Sequence, residues 1–197
     1  MSPRETSRSA LIEQGTQLML RSGYSSTGLI ELLQAANVPK GSFYNHFGSK
    51  EEFAVEVVRR YYARHDWLLA ELLAEEEPSP LERLRSYFDV LVLAATTSSE
   101  QARGCLLGML AMEMAGNSEP LRKIVSEAFR RWEARIAELL RQAQNAGQIA
   151  PGRDPDLLAG ALLQGWEGAL MRARVSRDVG GLRKFLDFEF SRLLSPQ

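Results

Sequence analysis

Several features are scarce in this chain, and each scarcity narrows what it can be. Its 197 residues include one cysteine, which excludes an intrachain disulfide framework and suits a reducing compartment. Histidine occurs twice, as His46 and His65. A Cys–His catalytic pair would need Cys105 beside His65, since His46 falls in the candidate recognition helix of residues 40–47. No glycine-rich phosphate loop, HExxH or CxxC motif is present, so no catalytic residue, metal or cofactor is expected. No apolar run approaches the ~20 residues that span a bilayer, and Met1 to Arg8 is polar, without the apolar core of a signal peptide. A cytoplasmic protein with no membrane partner is expected. Alternation of β-branched and polar residues is missing too, which argues against strands.

Charge is nearly balanced overall, with 24 Lys+Arg against 25 Asp+Glu, but it is unevenly placed. Residues 1–50 hold five basic groups and three acidic ones, a balance of +2, and the remainder carries −3. A mildly basic end on an acidic body suits local attraction to phosphate.

Apolar residues recur at three and four, the helical spacing. Helices are predicted over 5–22, 29–36, 40–47, 49–73, 81–97, 104–115, 118–146, 155–176 and 180–194: an all-α protein of about nine helices. Gly23 stands where a C-terminal glycine ends the first, and Thr27 reads as the N-cap of the second. Pro39 separates the second from the third. Glu75 to Pro80 reads as a linker, and Thr96 to Ser99, Gly116-Asn117, Asn145 to Pro151-Gly152 and Asp178 to Gly181 as further breaks.

The segment from Thr27 to Lys50, TGLIELLQAANVPKGSFYNHFGSK, places two short helices around a tight turn, the spacing of a helix-turn-helix. In such a unit the second helix enters the major groove of duplex DNA. Gly41 and Ser42 are small enough to let it approach base edges, and Lys40 can reach a phosphate or guanine. Tyr44, Asn45 and His46 offer polar tips. Phe43 and Phe47, four apart, share the opposite side and should pack inward. Lys50, at the helix start after Ser49, suits a phosphate. For Tyr44 a half-buried aromatic, for His46 a solvated or capping role, and for Lys50 plain solvation remain open.

The run AANVPKGSFYNHFGSKEEF resembles the signature of the tetracycline-repressor (TetR) family of transcriptional regulators, over about residues 9–55. The resemblance implies an all-helical homodimer, with a DNA-binding head at 1–50 and a ligand-sensing, dimerising domain at 51–197. Its partners would be a double-stranded palindromic operator, a small-molecule inducer and a second copy of itself. By the same similarity Thr27, Lys40, Ser42, Tyr44, His46 and Lys50 match positions that contact operator DNA. Where the family pattern has Gly-Val-Ser-Lys-Gly, this chain has Asn37-Val38-Pro39-Lys40-Gly41.

In the body, small residues crowd 157–175. Ala161, Gly165, Gly168 and Ala169, with Leu158 and Leu162, suit close helix approach. Phe185 and Phe188 on the next helix would complete a four-helix dimer interface; an intrachain core is the alternative. Trp67, Phe88, Met109, Met112 and Trp166, with Glu113 as a polar anchor, are candidates for lining a ligand pocket; Trp132 and Arg174 belong with them. The same residues also read as plain core.

Cys105 lies in Arg103-Gly104-Cys105-Leu106-Leu107, at a predicted helix start. That place and the nearby arginine would favour thiolate, whereas an inert buried thiol is the alternative. Gly104-Cys105-Leu106 and the end of the chain near Arg174 resemble the N-ethylmaleimide-responsive subgroup of the same family, which implies sensing of electrophiles or oxidants through this cysteine. That subgroup has a lysine where this chain has Arg174, so thiolate stabilisation survives but a covalent partner does not. A helical adaptor without DNA binding is the remaining alternative.

Overall fold

The computed structural model describes residues 3–97 and 104–193. Among them are nine α-helices and no strand: α1 (Pro3–Ser22), α2 (Leu29–Ala35), α3 (Lys40–Tyr44), α4 (Lys50–Ala74), α5 (Pro80–Thr97), α6 (Leu106–Met114), α7 (Glu119–Asn145), α8 (Pro155–Ser176) and α9 (Gly180–Phe188). One π-helical turn, Glu189–Leu193, continues α9. The chain divides into two compact units, Met1–Ala63 with Cys105–Ala128, and Arg64–Gly104 with Phe129–Gln197.

In the first unit α1 lies against α2, α3 and α6. Its core is a ring cluster: Phe43, Phe47 and Phe53 sit 4.9–5.4 Å apart, all essentially buried. Close approach is possible because position 15 is glycine. A Cβ there would lie 2.3 Å from Phe53 Cζ, closer than any packed contact allows.

Local signals end and start these helices. α1 stops at Gly23, whose φ is +83° and whose N–H donates to the Met19 carbonyl at 2.8 Å. Asn37, at φ +52°, ends α2. Its N–H bonds the Gln34 carbonyl and the Val38 N–H bonds the Leu33 carbonyl, both at 3.1 Å, the paired bonds of a Schellman ending. Pro39 is the N-cap of α3, one place before the first helical position. Ser49 caps α4 by accepting from the Glu52 N–H at 3.0 Å. At the start of α5 the Glu82 carboxylate accepts from both the Ser79 N–H at 3.1 Å and its hydroxyl at 2.6 Å, the backward half of a capping box.

Two expectations need correcting. The N-cap of α2 is Gly28, without a side-chain bond; Thr27 is 2% exposed and its hydroxyl donates to the Gly23 carbonyl at 2.7 Å. The third helix ends at Tyr44, not Phe47, because the His46 and Phe47 N–H groups both bond the Phe43 carbonyl at 2.9 Å and tighten the last turn.

The second unit holds the two buried tryptophans. Phe88 meets Trp166 at 5.3 Å between centroids, and Tyr87 lies between Phe88 at 5.3 Å and Trp132 at 6.4 Å. α8 starts at Asp154, whose carboxylate accepts from the Asp156 N–H at 2.9 Å, with Pro155 in the first turn. It lies against α9. No described helix is long and apolar enough to cross a membrane, and no described cluster of His, Cys, Asp and Glu could hold a metal ion.

Candidate nucleic-acid interface

The third helix is five residues long, and its two sides differ in kind. Phe43 is 1% exposed and Phe47, just beyond the helix, also 1%. Lys40, Gly41, Tyr44 and Asn45 are exposed, and Ser42 is half-buried. Tyr44, at 63% exposed, stands with its ring edge against Phe43, centroids 5.3 Å apart. The inward pair fixes the helix and leaves the Lys40 and Tyr44 side chains facing outward. No Cβ added at Gly41 would meet any atom within 4 Å, so its value is a bare backbone surface rather than an internal fit.

Charge on this unit is partly spoken for. Arg8 bridges Glu56, and Arg21 bridges Glu31 at 2.7 Å. Lys40 forms no ion pair or hydrogen bond among the described residues, so its ammonium stays available to an anion. Lys50 is different. Its ammonium sits 4.6 Å above the Tyr24 ring and donates to the Ser25 carbonyl at 3.4 Å. Burial pulls its pKa down, against the opposing pull of Glu113.

His46 is half-buried, its ring 6.0 Å from Phe47, so it stands at the edge of the core. Thr27 is turned inward as described, its hydroxyl taken by Gly23 rather than offered outward. The structure thus brings Lys40, Gly41, Ser42, Tyr44 and Asn45 to one outward surface and leaves Thr27 in the turn behind it.

The candidate pocket residues fall in both compact units, with Met109, Met112 and Glu113 in the first and Trp67, Phe88, Trp132 and Trp166 in the second. Trp67 is 61% exposed and Met112 91%, because each falls on the outer side of its helix. Met109 is half-buried. Glu113 is already engaged: its carboxylate accepts from the Tyr24 and Ser25 N–H groups, each at 2.7 Å. Phe88 and Trp166 are buried and touching, and Trp132 is buried through Tyr87. The Nε1 hydrogens of Trp132 and Trp166 find no acceptor among the described residues.

Cys105 is 5% exposed and stands immediately before α6, without a side-chain capping bond. Arg103, the expected neighbouring charge, lies outside the described residues. Cys105 belongs to the first compact unit and Arg174 to the second.

The face offered for pairing also shifts. Leu162 is 1% exposed and Leu158 half-buried, and a Cβ on Gly165 would meet the Phe185 ring at 2.6 Å. These therefore pack within the chain. What α8 presents outward is Leu157 at 73%, Met171 at 66% and Val175 at 82%, aligned with exposed Ala161 and half-buried Gly168. Phe188 on α9 is 51% exposed, and Ala169 is half-buried.

Sequence reasoning missed two buried or half-buried polar groups. His65 Nδ1 lies 3.1 Å from the Tyr87 hydroxyl, and its ring is 5.2 Å from Trp132. Arg83, 3% exposed, holds the Leu72 and Glu75 carbonyls and the Gln142 amide oxygen. A lone histidine or arginine in a helical stretch carries no mark of such a partner.

A short, outward-facing second helix on a three-helix base defines a helix-turn-helix DNA-binding protein. Residues 11–57 match the family of bacterial regulatory proteins of the tetR type, and residues 80–188 match the tetracyclin repressor-like C-terminal domain. The chain is 34% identical to the HTH-type transcriptional repressor DhaR of Mycobacterium sp. (strain GP1), over 95% of this chain and 92% of that one. It is 33% identical to the HTH-type transcriptional repressor NemR of Escherichia coli (strain K12), over 91% and 89%. The crystal structure of regulatory protein TetR from Rhodobacter sphaeroides matches with a TM-score of 0.86 at 34% identity, over 91% and 95%. The chain belongs to the TetR family of transcriptional regulators, which act by binding DNA and not as enzymes.

Proposed function

We propose that the protein is a homodimeric transcriptional repressor that holds a palindromic operator with two copies of α3 and releases it when an inducer binds. The observation that carries this is the split of α3, with Phe43 locked inside and Lys40, Gly41, Tyr44 and Asn45 outside. Two-fold symmetry suits palindromic half-sites. The outward stripe Leu157, Ala161, Gln164, Gly168, Met171, Val175 has the alternating four–three spacing of a seam between two helices, and an apolar strip of this kind on a lone chain marks a surface for a partner. Cytoplasmic residence goes with this function.

For the inducer, two chemistries have support. Cys105 opens α6 and lies within the segment resembling electrophile-sensing relatives; addition of its thiolate across an activated C=C would seat a bulky group where the thiol is now buried. The two indole N–H groups without acceptors support a non-covalent ligand instead, a compact molecule carrying hydrogen-bond acceptors among aromatic rings. Either acts only by binding the released arrangement better than the DNA-bound one.

The test is selection of duplexes from random DNA, then fluorescence anisotropy on the winner. A palindromic duplex should be held with steep salt dependence, and Tyr44→Ala should weaken it at least about tenfold. No enriched duplex, or full affinity in Tyr44→Ala, overturns the reading. N-Ethylmaleimide should release wild type and spare Cys105→Ser; release of both favours the non-covalent site.

A further inference from the structure

We propose that Glu113, on α6, is a positioning residue for operator binding: its carboxylate closes the α1–α2 turn and so sets the angle at which α2 and α3 are presented. This rests on the reading of α3 as the DNA-binding helix.

The turn has amides to satisfy. Once α1 ends at left-handed Gly23, the next two N–H groups, of Tyr24 and Ser25, have no helical acceptor. Glu113 takes both, one on each oxygen: Tyr24 N–H on Oε2 and Ser25 N–H on Oε1, each at 2.7 Å. The carboxylate sits so close that a Cβ on residue 23 would lie 2.8 Å from Oε2. Glycine suits position 23 chiefly for its φ of +83°, and its missing Cβ leaves the acid undisturbed beside the turn.

The same turn is gripped from its other side by a cation. Lys50 donates to the Ser25 carbonyl and covers the Tyr24 ring. The Ser25 amide therefore points at an anion and its carbonyl at a cation. A second tie lies five residues beyond Glu113: the Ser118 hydroxyl donates to Glu51 Oε1 at 2.6 Å, in the first turn of α4. Residues 113 and 118 hold the head at both its α1–α2 turn and its exit helix, and all of these contacts lie within the first compact unit.

Buried Leu32 and Leu33 and the Arg21–Glu31 bridge hold the body of α2, but its start is fixed only through the turn. Its N-cap, Gly28, has no side-chain bond. Within the turn, the Thr27 N–H bonds the Tyr24 carbonyl at 3.2 Å and its hydroxyl bonds Gly23; both partners belong to the segment that Glu113 holds. α3 follows α2 through the rigid Asn37 ending, so a tilt of the turn reaches Lys40 and Tyr44. None of these side chains needs to touch DNA for the acid to matter.

The experiment compares wild type, Glu113→Gln and Glu113→Ala on the palindromic duplex that wild type selects, below the melting temperature of each. Gln keeps shape and one acceptor, so its loss should be about tenfold; Ala keeps neither, and about 100-fold is expected. Affinity for non-specific duplex and the salt slope should not change, since no phosphate contact is removed; a merely loosened fold would lower both affinities together. In ¹H–¹⁵N spectra the Tyr24 and Ser25 amides should shift upfield and exchange faster in the Ala variant. Equal operator affinity in all three proteins, a parallel loss of non-specific binding, or unmoved amide signals overturns the clamp. A wild-type chain that selects no duplex overturns the DNA-binding reading itself.

Discussion

His65 shows how a single side chain can carry a pH dependence that its sequence position does not announce. Burial, reinforced by the neighbouring Arg64 charge, pushes its pKa down to about 4, whereas in the unfolded chain it titrates near 6.5. The folded protein thus keeps His65 neutral where the unfolded chain would protonate it. Its stabilising contribution is complete above pH 6.5 and is lost progressively as the pH falls from there towards 4. Urea midpoints at pH 7 and pH 5 should show wild type losing on the order of 1–3 kcal/mol. His65→Phe keeps a ring against Trp132 and should lose correspondingly less; an equal drop in both proteins would remove His65 as the cause. At this scale the sequence was least informative. Glu113 was a candidate pocket anchor, yet its partners lie 88 and 89 positions away, and no local pattern encodes such a pairing. Thr27 had the residue type of an N-cap but turned its hydroxyl back to Gly23, because a threonine hydroxyl bonds whichever backbone group is nearest.

Among elements, what was legible followed from period and punctuation. Nine helices in the right order came from apolar spacing, and Ser49 and Gly23 marked ends that the structure keeps. The errors sit where hydrogen bonding, not composition, decides: α3 is shortened because two amides share the Phe43 carbonyl. Arg83 is the element-level device that composition hid. The end of α4 leaves carbonyls that the helix itself cannot use, and Arg83 on α5 covers those of Leu72 and Glu75 while its other nitrogen donates to Gln142 on α7 at 2.9 Å. One guanidinium thereby ties three helices of the second unit, with its positive charge at the negative end of a helix dipole. Arg83→Met retains most of the buried stem but none of the donors, so about 3 kcal/mol of stability should be lost in urea unfolding. Arg83→Lys, a point charge without the fork, should fall between. A Met variant as stable as wild type would mean that water satisfies those carbonyls equally well.

At the scale of the whole molecule, dimerisation decides whether two copies of α3 reach one operator together. Small residues on α8 suit close approach, and at Gly165 that approach is to Phe185 of the same chain. Successive helix positions are rotated by about 100°, so a displacement of one residue moves the outward face. Leu157, Met171 and Val175, each at least 66% exposed, share that face with the candidates Ala161 and Gly168, whereas Leu158, Leu162 and Gly165 turn away from it. In the proposed dimer, a charge on that strip would meet its own copy across a two-fold axis, which doubles the penalty without touching the chain's own core. Met171→Asp should therefore sediment as a monomer at concentrations where wild type is a dimer, with an unchanged helical circular dichroism spectrum. Affinity for a palindrome should fall at least about 100-fold, since tethering two half-site contacts supplies that much effective concentration, while affinity for an isolated half-site should stay put. A Met171→Asp protein that remains dimeric would move the interface elsewhere on the molecule, and the symmetric hold on DNA would have to be built from a different face.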